Sequence, residues 1–116
     1  MRTTCEQFFA ARLPIAGLSA CGARLPDGAV IHQCFNRWLN PQQVRNAVTH
    51  LAQSFELFQQ YQLPPSRLVW VFEHLRVHLR LRPDNGCLAL FLENRPELPH
   101  GQIQDVLEEF ATLPGT

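Results

Sequence analysis

A mixed α+β fold, a five-stranded antiparallel sheet with helices on both faces, is predicted by three features of the sequence. Leu68 to Phe72 is an unbroken apolar run rich in β-branched and aromatic residues, which suits a strand buried on both faces. Leu75 to Arg82 alternates with period two, so that Leu75, Val77, Leu79 and Leu81 point one way while Arg76, His78, Arg80 and Arg82 point the other. Between Asn40 and about Gln62 the period is helical instead. There Val44, Val48, Leu51, Phe55 and Phe58 form one apolar stripe opposite Gln42, Arg45, Asn46, Thr49, Gln53, Glu56 and Gln60.

The elements follow in order. Thr3 with Glu6 has capping-box spacing, and Phe8, Phe9 and Leu13 follow before Pro14, so a short helix opens the chain. Gly17 to Arg24 and Ala29 to Phe35 flank Leu25-Pro26-Asp27-Gly28, where proline and glycine supply turn dihedrals, and these read as a β-hairpin. Asn40 as N-cap, Pro41 at the first helical position and Gln43 at the capping-box site start the long helix. Leu57 and Tyr61 lie beside its apolar stripe, either as part of a wide core-facing surface or as a place where a second helix docks. Pro64-Pro65 stops the helix by steric exclusion. Strands are then expected at about Leu68 to His74, Arg76 to Arg82 and Cys87 to Glu93, with Pro83-Asp84-Asn85-Gly86 as the last turn. Pro96, Pro99 and Gly101 punctuate the exit, and Ile103, Val106, Leu107, Phe110 and Leu113 give the apolar side of a closing helix. The order is α-β-β-α-β-β-β-α, read as a single domain over residues 1–116.

Composition narrows the function. At 116 residues, 46% hydrophobic and 17% charged, the chain can bury a core without metals or disulfides. Formal net charge is zero, so attraction to nucleic acid or anionic lipid is not built into the whole molecule. All ten basic residues are arginine. The N-terminus lacks the apolar region of a signal peptide and no run is long enough to span a bilayer, so a cytoplasmic protein with no membrane insertion is expected. Cys5, Cys21, Cys34 and Cys87 show no CxxC spacing and read as small buried hydrophobes.

No motif carries chemistry. His32 and Cys34 share a strand face, but they are two ligands where a structural zinc site wants four. His74 and His78 on one strand would stand about 13 Å apart, too far for one ion. There is no GxSxG, HExxH or glycine-rich phosphate loop, and nothing pairs Glu73, Glu93 or Glu97. No catalytic residue, metal or cofactor is therefore expected. The Arg76, His78, Arg80, Arg82 row is a candidate partner surface for acidic groups, or else the solvated side of an ordinary strand. Nucleic acid is not expected there, because no aromatic residues interleave with the arginines. The run from Leu68 to Phe72 leaves two options open: a central strand, or an edge strand completed by a second copy.

With these elements in place the chain resembles the Roadblock/LC7 family, which groups dynein light chain-like domains and bacterial partners of Ras-like GTPases. The resemblance spans about Cys5 to Leu113. It rests on the element order, the hairpin from Gly17-Leu18-Ser19-Ala20-Cys21-Gly22-Ala23 through Pro26-Asp27-Gly28, the long helix, and the block ending in Cys87-Leu88-Ala89-Leu90-Phe91-Leu92. It implies a profilin-like architecture and a non-enzymatic homodimer whose third strand pairs with its two-fold copy. On this sequence Leu68, Val69, Trp70, Val71, Phe72, Glu73 and His74 fall at the dimer edge, with Leu57 and Tyr61 in helix contacts. The implied partners are the chain itself and a small GTPase or larger scaffold. One departure is that the turn at Glu73-His74-Leu75-Arg76 has no glycine. Two other roles stand beside this one. A secretion-type chaperone for a disordered effector segment would ordinarily be acidic, and a profilin-like small-molecule sensor would need a cavity between sheet and helix.

Overall fold

The computed structural model describes residues 1–61 and 66–114. Its elements are α1 (Arg2–Arg12), β1 (Leu18–Arg24), β2 (Val30–Cys34), α2 (Pro41–Gln60), β3 (Arg67–Val71), β4 (Leu75–Leu81), β5 (Cys87–Glu93) and α3 (His100–Thr112). The strands form one antiparallel sheet in the order β2-β1-β5-β4-β3. The predicted element order and the five-stranded sheet are both present.

Two cores sandwich the sheet. On one face Cys5, Phe8 and Phe9 of α1 and Ile103, Val106, Leu107 and Phe110 of α3 pack on Cys21, Leu88, Leu90 and Leu92. On the other, Val44, Val48, Ala52 and Phe55 of α2 pack on Ala20, Val77, Leu79, Ala89 and Phe91. A central strand therefore presents apolar side chains both ways, and β5 is buried from Cys87 to Leu92. Gly22 lets α2 approach closely, because a Cβ there would collide with Val48 Cγ2.

Local signals set the boundaries with some departures. Asn40 caps α2, its Oδ1 accepting from the backbone N–H of Gln42 at 2.8 Å and of Gln43 at 3.4 Å, with Pro41 at the helix start. Gly28, at φ 92°, closes the β1–β2 turn. Met1, not Thr3, precedes α1, and no side chain caps it. Glu6 is drawn instead to Arg2 one turn back, Nε to Oε1 at 2.9 Å. The α2 helix ends at Gln60 with Tyr61 as C-cap, two residues short of the expected end. The Pro64-Pro65 stop lies outside the described residues.

The turn without glycine, Glu73-His74, is closed by Phe72 N–H donating to Leu75 C=O at 2.7 Å. Neither residue takes a positive φ. Asn94 Nδ2 donates to the carbonyls of Phe72 (2.8 Å) and Glu73 (3.3 Å), so a side chain from the end of β5 supports this turn.

Candidate interaction surface

β3 lies at the edge of the sheet, hydrogen-bonded only to β4. The alternation of an antiparallel ladder decides which of its backbone groups are free. Phe72 pairs with Leu75, and Leu81 N–H donates to Ser66 C=O at 2.8 Å. Residues 66, 68, 70 and 72 therefore turn their N–H and C=O groups inward to β4. Arg67, Val69 and Val71 turn theirs outward, along an edge with no strand beside it among the described residues.

The side chains complete the surface. Leu68 is half-buried against the α2 core, whereas Val69, Trp70, Val71 and Phe72 are exposed, Val71 by 60%. Glu73 and His74 are exposed in the turn. The expectation of a strand buried on both faces is thus corrected. α2 packs over β2 and β1 and reaches β4, so that of β3 only Leu68 packs against its core. Leu57 near the end of α2 and Tyr61 at its C-cap are also exposed, Tyr61 by 70%. The reading of these two as part of a wide core stripe is overturned, since Val44, Val48, Ala52 and Phe55 are the buried positions.

The arginine row is corrected as well. Arg76, His78, Arg80 and the following Arg82 do share the face opposite α2, but α3 covers that face instead of solvent. His78 and Arg82 are each only 5% exposed, and Arg76 and Arg80 are half-buried. Arg82 donates to the carbonyls of Phe110 (2.6 Å) and Leu113 (2.7 Å), and its guanidinium stands 5.5 Å from the Phe110 ring centroid. Phe110 lies in the last turn of α3, its carbonyl also accepting from the N–H of the C-cap Leu113 at 3.3 Å, and the helix dipole favours a cation at this end. Asp84 neutralises Arg82 at 3.1 Å. Burial alone would raise the Asp84 carboxyl, but hydrogen bonds from Arg82 and Gly86 bring it below its usual range. Arg80 reaches Glu108 of α3 at 3.3 Å, and Arg67 reaches Gln104. Arg80 and Arg82 fasten α3 to the sheet, whereas Arg76 donates to Asn94 Oδ1 at 3.4 Å. His78, buried with neither ring nitrogen hydrogen-bonded among the described residues, is closed to a partner, as is Arg82.

Among the described residues no three His, Cys, Asp or Glu side chains gather as a metal-binding group. Burial pushes the thiols of Cys5 to about 11 and of Cys21 and Cys87 to about 12, and it also raises Cys34, so none is a ready nucleophile. Among the described residues no helix is long and apolar enough to cross a membrane.

Sequence reasoning missed Trp38. It sits between β2 and α2 and is 87% exposed. It borders an open cavity of about 440 Å³ together with Leu39, Leu75, His74, Asn36 and Glu93. The available signal was a tryptophan placed in a connection, outside any apolar period.

This sheet order, with α2 on one face and α1 and α3 on the other, is the Roadblock/LC7 fold. The gliding protein MglB of Thermus thermophilus superposes with a TM-score of 0.74 at 13% identity, over 95% of this chain and 84% of that one. A Roadblock/LC7 domain of Streptomyces avermitilis gives 0.66 at 13% identity, over 96% and 91%. An MglB with a tetrameric arrangement gives 0.68 at 14% identity, over 96% and 82%. No protein-family model matches the chain, and no curated protein matches it.

Proposed function

We propose that this chain is a non-enzymatic homodimeric regulatory or scaffolding protein that acts by protein contacts, with a small Ras-like GTPase as its partner. The observation that carries the reading is the β3 edge, whose outward N–H and C=O groups at Arg67, Val69 and Val71 adjoin exposed Val69, Trp70, Val71 and Phe72. Two such edges meeting across a two-fold axis satisfy one another, because the same outward parity faces itself in antiparallel register. Leu68, Trp70, Leu57 and Tyr61 would then meet their copies on or beside the α2 side, with Glu73 and His74 at the rim. Burying side chains of this size contributes roughly 1.5–3 kcal/mol each when complete, and pairing has to offset the lost translational and rotational freedom of two protomers.

Self-association is supported by one structural neighbour, the MglB with a tetrameric arrangement, and the GTPase by the family resemblance of the sequence. Dimerisation and partner choice are separable properties and are measured separately. Sedimentation at micromolar concentration is expected to give a dimer, and a stable monomer would remove the pairing. Capture from the native host is expected to retain a Ras-like GTPase. Retention of only a larger assembly would leave the scaffold role standing and remove the GTPase.

A further inference from the structure

The sheet has a second free edge of different chemistry. In the β1–β2 hairpin Leu25 N–H donates to Ala29 C=O at 2.7 Å and Phe35 N–H donates to Ser19 C=O at 2.9 Å. Counting inward by twos along the register, Ile31 and Gln33 turn their backbone groups to β1, while Val30, His32 and Cys34 turn theirs outward. Arg45 Nη1 donates to the outward carbonyl of Val30 at 3.1 Å. Both groups of His32 and of Cys34 remain on an unoccupied rim.

That rim is the floor of a slot. A cavity of about 300 Å³ opens along it, walled by Arg2, Glu6 and Phe9 of α1 on one side and Arg45 of α2 on the other, with Val30 and His32 below. Arg2 is paired with Glu6, whereas Arg45 has no acidic partner among the described residues. The slot thus combines an open ladder with an unneutralised guanidinium beside it. It lacks the exposed apolar row that marks β3: the β2 side chains are buried or polar, apart from half-buried Cys34.

We propose that the β2 edge takes up an extended, carboxylate-bearing segment of a partner protein as a sixth strand. Main-chain hydrogen bonds to His32 and Cys34 supply the pairing, and a carboxylate on the α2 side meets Arg45. Alternate side chains of the added strand point to opposite walls, so one face of the segment reads Arg45 and the other reads α1. The inference rests on the ladder of a single protomer and not on the pairing proposed for β3.

The test titrates the full chain with a labelled short peptide alternating threonine and glutamate, and with its threonine–lysine counterpart. The glutamate peptide is expected to bind in a salt-sensitive way, the lysine peptide not to bind, and amide exchange at His32 and Cys34 to slow. His32→Pro removes an outward donor that β1 does not use, and Arg45→Glu reverses the charge; each is expected to weaken binding about tenfold or more. Val69→Pro, at the opposite edge, is expected to leave peptide binding unchanged whatever it does to dimerisation. Equal binding of the two peptides, binding by neither, or undiminished binding by Arg45→Glu would overturn the proposal. Should His32→Pro fail to fold by circular dichroism, Arg45→Glu and the amide exchange decide. A loss of assembly size in His32→Pro would assign this edge to a second copy and overturn it too.

Discussion

Arg82 shows how one side chain decides the meaning of a pattern. By period it belongs to a polar strand face, and a polar face ordinarily meets water. Here its guanidinium ends α3, stacks on Phe110 and pairs with Asp84, so the charge is buried but compensated. Arg82→Ala would strip the last turn of α3 of its donors, with an expected loss of roughly 3 kcal/mol in denaturant unfolding. Arg82→Lys is expected to recover only part of it, since an ammonium cannot serve two carbonyls and a carboxylate in one plane. His78, two strand positions from Arg80, gives a pH signature. Burial, reinforced by the positive charges of Arg67 and Arg76, brings its ring from 6.5 down to about 4. Above 6.5 the ring is neutral in both states and contributes no pH dependence. As pH falls from 6.5 toward 4 the unfolded chain takes up a proton that the native chain refuses, so stability declines through that window by up to about 3 kcal/mol. Chemical denaturation across that range should show the slope in the native sequence and a shallower one in His78→Leu. The thiols give a third check. Iodoacetamide should modify half-buried Cys34 first, and Cys5, Cys21 and Cys87 only on unfolding.

Among the elements, β3 separates two kinds of backbone position that look alike in the sequence. Val69→Pro removes an outward N–H and leaves the β3–β4 ladder whole, so it is expected to give a folded monomer. Trp70→Pro removes an inward N–H and should unfasten β3 from β4, lowering the melting temperature as well. Sedimentation with circular dichroism reads both. If Val69→Pro stays dimeric, the edge is not where two copies meet. Much of this level was legible in the residues. The helical stripe of α2, the Asn40-Pro41 start, the Gly28 turn and all five strands follow from period and punctuation. Other features were hidden, because periodicity says which side chains share a face but not what covers it. The row from Arg76 to Arg82 was recognised as one face, yet only the packing of α3 shows that it is interior. The composition of Leu68 to Phe72 suits a core and by itself left a central and an edge strand both open; strand order, which depends on contacts distant in sequence, puts it at the rim, where the family resemblance had it. Thr3 and Glu6 have the spacing of a cap, but Arg2 offered Glu6 a nearer charge.

At the scale of the whole molecule the sheet ends in two unlike margins, one apolar and one polar, and both are open in the protomer. Closed two-fold pairing at the apolar margin yields a finite particle, where head-to-tail joining of unlike margins would run on as a filament. The arginine clasp at Val30 shortens the polar margin and so works against unlimited growth. Gly22 makes the opposite kind of contribution. It lets α2 sit low on β1, and Gly22→Ala is expected to cost about 1–3 kcal/mol by pushing Val48 and the helix outward, measurable as a lower denaturation midpoint. The one-sided anchorage of β3 reaches furthest. A ribbon held along a single flank and largely bare of helical cover peels early as a solution warms, and the neighbour that would hold its other flank arrives by diffusion. Calorimetry at two dilutions should therefore show thinner samples melting earlier, in the manner of a protein whose endurance depends on how crowded it is with itself.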